Sequence, residues 1–258
     1  MLKDRALFLY GFDITQFNRY INFKSAALGP ELTATLDVGN YTCTQLLAHI
    51  ASKMSTADGV NIYTLSIDRT INSGTENRIH IETNGSYLDV LFLSGTQADN
   101  SPRDLLGFGS VDLTGFTSYS SSAPGGTILL PDYPTWNYNG PDNMIVNDGV
   151  KNVSASGIKE TLVFAQMRFI QGQWKYINNF KTNTQLTQWQ TFLKYATRQL
   201  QFEFTPSINE DSEKFYQVTL ESTAKDSNGL GYELQQMNGV GLYRFYDSGL
   251  LKFRVIPD

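Results

Sequence analysis

Residues 32–54 read LTATLDVGNYTCTQLLAHIASKM, and the apolar period changes within them. Leu32, Ala34, Leu36 and Val38 alternate with mostly polar neighbours, the period-2 pattern of a half-buried strand. From Tyr41 onward Leu46, Leu47, Ile50 and Met54 fall on one stripe at helical spacing. Thr42 and Gln45 make the T-x-x-Q box that satisfies backbone N–H groups at a helix start, and Asp58-Gly59 ends the run. A strand handing over to one capped, amphipathic helix is therefore the first organising unit of this chain.

Reading outward, the same pairing recurs once. A second helix is predicted near 184–200, with Leu186, Trp189, Phe192, Leu193, Ala196 and Leu200 facing inward. Nearly all else reads as strand and turn. Ile79 and Ile81 flank His80, and Leu88, Val90 and Phe92 alternate after them. Further strands are predicted at 157–168, 174–177, 201–205, 215–221 and 251–256, separated by turn signals such as Asn84-Gly85, Asp226-Ser227-Asn228-Gly229 and Asp247-Ser248-Gly249. The stretch 117–148 is rich in Ser, Pro, Gly and Asn, and it reads as irregular connecting chain. The sequence thus predicts a mainly β protein of two β-sandwich or barrel-like domains, each with one flanking α-helix. These are an N-terminal domain over 1–122 with a helix near 42–54, a connecting arm over 123–148, and a C-terminal domain over 149–258.

Composition narrows the function. The chain has 258 residues with 2 His and 1 Cys, but 14 Tyr, 16 Phe and 3 Trp. Catalysis at neutral pH draws mostly on imidazole, thiolate or a metal held by them, whereas aromatic rings serve cores and contact surfaces. The charged fraction of 17% lies below the roughly 25% usual for soluble domains, so little self-repulsion opposes contact between copies. The net charge of −5 and the lack of any like-charge run argue against specific nucleic-acid binding or a polybasic membrane patch. No stretch approaches the roughly 20 apolar residues of a membrane span, and Cys43 has no internal partner for a disulfide. A soluble protein without membrane insertion, made in a cytoplasm, is expected.

No motif points to chemistry. His49 and His80 lack a Cys, Asp or second His at metal-ligand spacing and are expected on an exposed face or edge. The acidic pairs Asp211/Glu213 and Asp226/Glu233 read as solvated loop charges, and Asp226-x-Asn228-Gly229 reads as a turn without the later oxygen ligands of a calcium loop. Gly107-Phe108-Gly109 lacks a phosphate-loop ending and reads as a tight bend with Phe108 packed beneath it. No catalytic, metal or cofactor-binding residue is assigned, and no cofactor is expected. The one candidate contact group is Tyr133, Trp136 and Tyr138, three large aromatics on the 123–148 arm. They suit a partner anchor, a sugar-stacking platform, or a loop pinned to its own domain.

Several stretches also carry a resemblance. The first half holds Gly39-Asn40-Tyr41-Thr42, Ile67-Asp68-Arg69, Leu91-Phe92-Leu93-Ser94-Gly95, Leu105-Leu106-Gly107-Phe108 and Asp112-Leu113-Thr114-Gly115-Phe116. In the second half stand Ser156-Gly157-Ile158-Lys159-Glu160, Trp189-x-x-Phe192-x-x-Tyr195-Ala196, Phe202-x-Phe204 and Tyr216-x-Val218-x-Leu220. Their order resembles virion structural proteins of tailed bacteriophages, and the second half is similar to distal-tail and tail-tip (baseplate) components. The resemblance implies β-sandwich domains with a flanking helix and no catalytic residues. It also implies copies assembled in a ring, a hexamer, with other virion proteins in the tail region, through which DNA passes. On this reading the protein is made in the cytoplasm of a bacterial host and is not an enzyme. Two alternatives stay open: a carbohydrate-binding or receptor-binding fibre-associated module, and a polysaccharide-degrading enzyme.

Overall fold

The computed structural model describes residues 4–69, 77–132, 134, 136–141, 143–153, 159–179, 185–210, 214–237 and 244–257, with backbone alone at 136, 147–153 and 159–165. The chain divides into two units. The first comprises Leu7–Ile128 and Ser207–Phe215, the second Met1–Ala6, Leu129–Pro206 and Tyr216–Asp258.

The first unit runs β1 (Leu7–Tyr10), β2 (Phe12–Ile14), β3 (Tyr20–Lys24), β4 (Leu32–Thr35), β5 (Gly39–Tyr41), α1 (Cys43–Asp58), β6 (Tyr63–Ile67), β7 (Arg78–Thr83), β8 (Leu88–Val90), β9 (Leu113–Phe116), β10 (Ser118–Pro124) and β11 (Thr127–Leu129). A four-stranded antiparallel sheet has the order β4-β3-β8-β9, and a three-stranded one the order β10-β7-β6. Helix α1 lies against β4, β5 and β6. Its Leu46, Leu47, Ile50 and Met54 join Ile21, Phe23, Ile79 and Val90 of the strands in one buried cluster. Phe23 meets Tyr63 edge-on at 5.2 Å, a favoured ring geometry.

The sequence signals at both ends of α1 hold. Gln45 N–H donates to Thr42 Oγ1 (3.3 Å) and Thr42 N–H to Gln45 Oε1 (3.1 Å), the two halves of the capping box. Gly59 takes a left-handed φ of 71° and donates its N–H to Ser55 O, a helix end that a side chain would strain. Asp58, the last helical residue, then gathers the following loop. Its carboxylate accepts from Ser25 Oγ (3.0 Å), Asn61 N–H (3.1 Å), Asn61 Nδ2 (2.7 Å) and Tyr63 OH (3.0 Å).

The second unit contains β12 (Trp136–Asn139), β13 (Ile145–Val153), β14 (Lys159–Gln173), β15 (Ile177–Asn178), α2 (Gln185–Ala196), β16 (Phe202–Thr205), β17 (Tyr216–Ser222), β18 (Gln235–Met237), β19 (Phe245–Asp247) and β20 (Leu250–Val255). Its main sheet has the antiparallel order β16-β17-β20-β14-β12, and β15-β19-β18 form a smaller one. Large rings join helix to sheet. Trp189 and Phe192 of α2 contact Trp174 and Phe202 at centroid distances of 5.3 and 5.1 Å. Phe253 of β20 meets Phe202, Phe204 and Trp174 at 5.7, 5.8 and 6.4 Å.

The protein is mainly β, with 41% strand and sandwich-like units that each carry one flanking helix. No sheet closes into a barrel among the described residues. Three local expectations need correction. Ser118–Pro124, expected to be irregular, is strand β10, because Tyr119 and Ser121 alternate toward the core while serines face outward. Ser121 Oγ accepts the Ile79 N–H at 3.0 Å, so a hydroxyl does inside this sheet what linker serines do in water. Within 131–141, β12 is a second strand that Pro and Gly content concealed. Helix α2 ends at Ala196 rather than near Leu200: Thr197 Oγ1 donates to Leu193 O, and Gln199 sits at φ 61°.

Two measurements check these assignments. Phe253→Ala is expected to cost about 3–5 kcal/mol by chemical denaturation, since it removes the ring shared by β16, β20 and Trp174; a loss below about 1 kcal/mol contradicts that packing. For Asp58, burial pushes the pKa up, but hydrogen bonds from Asn61, Ser25 and Tyr63 outweigh it and hold the carboxyl below its ordinary 3.8. A depressed folded-state pKa gives stability that is present above the unfolded value and lost as pH falls through the folded one. Asp58→Asn is therefore expected to lower stability at pH 7 and to flatten its decline below about pH 4. An unchanged acid slope argues against this role.

Candidate functional site

Of the three aromatics singled out in the sequence, Tyr133 lies outside the described residues. Trp136 opens β12, and its backbone is registered against Gln173 of β14; its side chain is outside the description. Tyr138, two residues on, is half-buried. The register shifts between Trp136 and Asn139, and Asn137 at that bulge has a positive φ of 50°.

The stretch around them is tied to its own unit at successive points. Ala6 N–H donates to Pro131 O (3.0 Å), and Trp174 Nε1 donates to Asp132 O (2.9 Å). Pro134 is buried, and a Cβ added at Gly172 would come within 3.2 Å of its own Cβ. Asn137 Nδ2 donates to Gln173 Oε1 (2.8 Å), and Gln173 Nε2 donates to both carboxylate oxygens of Asp247 (3.0 and 2.8 Å). Strip 131–140 is thus an edge strand with anchored flanks.

Beyond this edge the sheet continues in an unusual way. Strand β14 spans 15 residues, but only Phe169–Gln173 pair with β20. From Lys159 to Arg168 its partner is β13, in antiparallel register from Val153↔Lys159 to Ile145↔Arg168. Asp148 faces Ala165 and Gly149 faces Val163, so Phe164 is an extra residue, a bulge that sharpens local twist. At about 3.4 Å per residue the ribbon extends roughly 30 Å past the sheet. Among the described residues β13 pairs only with β14, leaving both outer edges of the ribbon without a strand. At its base Ile145 and Val146 stay 47% and 43% exposed.

A different surface lies on the outer face of β10-β7-β6. The register places Ser66, His80 and Ser120 side by side on three adjacent strands. Asp68 N–H donates to Arg78 O (2.9 Å), so the next row sets Asp68 beside Arg78. These five residues and Ile67 line an open depression of about 310 Å³. His80 Nδ1 and Ser120 Oγ share a hydrogen bond of 2.8 Å. The opposite face of the same strands carries Leu65, Ile67, Ile79 and Ile81 toward the core. Sequence reasoning read His80 alone and passed over this cluster, although Ser66/Asp68 and Arg78/His80/Glu82 alternate as polar positions in strands 6 and 7.

The remaining sequence candidates have local roles. His49 Nε2 accepts the Asp37 N–H (3.1 Å), its ring stacks on Tyr41 at 5.3 Å, and Lys53 Nζ lies 3.0 Å from Asp37 Oδ2. Burial lowers the His49 pKa, and the Asp37 carboxylate opposes that shift. Asp226 closes a turn by accepting from Asn228 and Leu230 N–H, while Glu233 pairs with Lys225 at 2.9 Å. Asp211 and Glu213 lie outside the described residues. Gly107 has φ 74°, and an added Cβ would meet Ala123 O; Phe108 beside it is buried against Phe92. Among the described residues no group of three His, Cys, Asp or Glu could hold a metal ion, and no helix is long and apolar enough to cross a membrane. No protein-family model matches this sequence, and no curated protein matches it either.

The anchoring of strip 131–140 has a measurable consequence. Gln173→Ala breaks the Asn137–Gln173–Asp247 chain and is expected to cost about 1 kcal/mol. Amide exchange at β12 is expected to accelerate, with β17 unaffected. Equal exchange in both strands would mean that the side-chain chain does not hold the strip.

Proposed function

We propose that this chain is a structural subunit of a tailed-phage virion, at the distal tail or baseplate, and that it works by protein–protein assembly. The observation that carries the reading is the β13–β14 ribbon. A two-stranded ribbon is marginal in water by itself, and unpaired strand edges are templates for pairing with another chain. An element of this kind gains stability when a neighbour covers it. The resemblance of both halves to phage virion proteins supplies the class and the ring of six copies. The weak surface charge supports close packing of such copies. An acidic net charge also suits a lumen past which DNA slides without adhering.

Catalysis has no part in this reading, and partners are recognised through strand edges and exposed apolar residues such as Ile145, Val146 and Phe116. The test removes the ribbon while keeping its base. Residues 147–166 are replaced by Asn-Gly, a two-residue hairpin turn joining Val146 to its registered partner Met167. Sedimentation and electron microscopy are expected to show rings, or complexes with another virion protein, for the full chain. The shortened chain should keep its thermal midpoint and stay monomeric. A full chain that remains monomeric and is absent from purified particles overturns the function. Rings that persist without the ribbon overturn the ribbon as the joint.

A further inference from the structure

We propose that the depression on the outer face of β10-β7-β6 binds an acidic sugar, with Arg78 taking the carboxylate and Asp68, His80, Ser66 and Ser120 taking the hydroxyls. The inference is independent of the ribbon and of any assembly.

Its first support is the way the fold gathers these groups. His80 is on the central strand, and its neighbours Ser66 and Ser120 come from positions 14 residues before and 40 residues after it. Side chains directly opposite on one sheet face stand about 4.5–5.5 Å apart at Cβ, the spacing of hydroxyls and ring substituents on a pyranose. Volume agrees with this scale: about 310 Å³ is at the small end of ligand sites, suited to one or two sugar units.

Charge and hydrogen-bonding capacity then select among ligands. The Arg78 guanidinium forms no ion pair with any described residue, although it is half-buried and an acidic residue lies beside it in the next strand. A guanidinium presents a planar fork that matches a carboxylate with two parallel hydrogen bonds. A neutral sugar would leave that fork without an anion. Asp68 decides against the opposite extreme. A compact inorganic dianion would be repelled by its carboxylate, which is acceptor-only with roughly four acceptor positions. A hydroxylated acid satisfies both ends, because its carboxylate reaches Arg78 while its hydroxyls donate to Asp68. The two serines donate or accept as needed, and one His80 ring nitrogen remains beyond its bond to Ser120. Ile67 adds an apolar lining atom set for the C–H face of a ring.

The test titrates the full chain by calorimetry with glucuronate, N-acetylneuraminate, glucose and inorganic phosphate. Both acids are expected to bind in the millimolar range, the strength of a few solvent-exposed polar contacts, roughly −4 kcal/mol. Glucose and phosphate should bind at least tenfold more weakly. Arg78→Gln should weaken both acids tenfold or more, and Arg78→Lys, which keeps charge without the fork, should recover part of the loss. Asp68→Asn should weaken the acids and strengthen phosphate, reversing their order. Lys53→Gln, on α1, should change nothing. Thermal midpoints of the variants separate lost binding from lost folding. Failure of either acid to bind at roughly 10 mM sinks the proposal. So does acid binding that Arg78→Gln leaves intact, or phosphate binding as tight as that of the acids, which would make this a plain anion site.

Discussion

Trp189 of α2 packs on Trp174 at 5.3 Å, Phe192 on Phe202 at 5.1 Å, and Phe202 on Phe253 at 5.7 Å. This chain of rings states the constraint that governs the whole second unit: an antiparallel sheet must hide one apolar face, and a single amphipathic helix hides it. Aromatic side chains suit the task because each buries about 150–250 Å², so one short helix can cover several strands. The first unit meets the same constraint with aliphatic residues, as Leu46, Leu47, Ile50 and Met54 of α1 close over β3, β6 and β7. One helix per sheet system also limits coverage. Strands beyond its reach keep a polar outer face or an open edge, and both candidate surfaces of this protein arise there.

The distinction between covered and uncovered strands explains what the sequence revealed. Helix α1 was legible because its stripe, its capping box and Gly59 agree. The core-facing alternation of Ile79 and Ile81 was legible for the same reason. By contrast, β1 has all four residues buried, so Leu7–Tyr10 shows no alternation and reads only as a short apolar run. Strand β10 was missed because serine is common in linkers, and nothing local reveals that Ser121 will accept the Ile79 N–H from 42 residues away. Edge strand β12 was missed because Pro131, Pro134 and Gly140 suppress strand propensity while an edge position tolerates them.

The candidate surfaces were less legible than the fold, and the cause is sequence separation. His80 alone has no partner at any motif spacing, yet strand register brings it 2.8 Å from Ser120 and beside Ser66. A catalytic motif concentrates its residues in one turn or helix; a sheet face collects them from several strands, so no single window contains the set. The ribbon is a similar case. Val150, Leu162, Val163 and Phe164 give strands β13 and β14 good intrinsic strand character, but only the pairing pattern shows that β20 stops at Phe169. Where a strand outruns its sheet is a property of its neighbours' lengths.

That last property bears on why such a ribbon persists. A projecting hairpin buries little apolar area and is held mainly by backbone hydrogen bonds, each worth about 1 kcal/mol net against the entropy of ordering two residues. Natural sheets usually blunt exposed edges with charge, proline or short strands. Here β13 is nine residues long, contains no proline, and carries Asp148 and Lys151 as its only charges. An edge this long and this weakly guarded invites pairing with any extended chain that meets it. Its exposure is tolerable where a cognate strand edge is always near, as between neighbouring subunits at fixed positions. The physical argument for assembly therefore rests on an unguarded edge rather than on the size of an apolar patch.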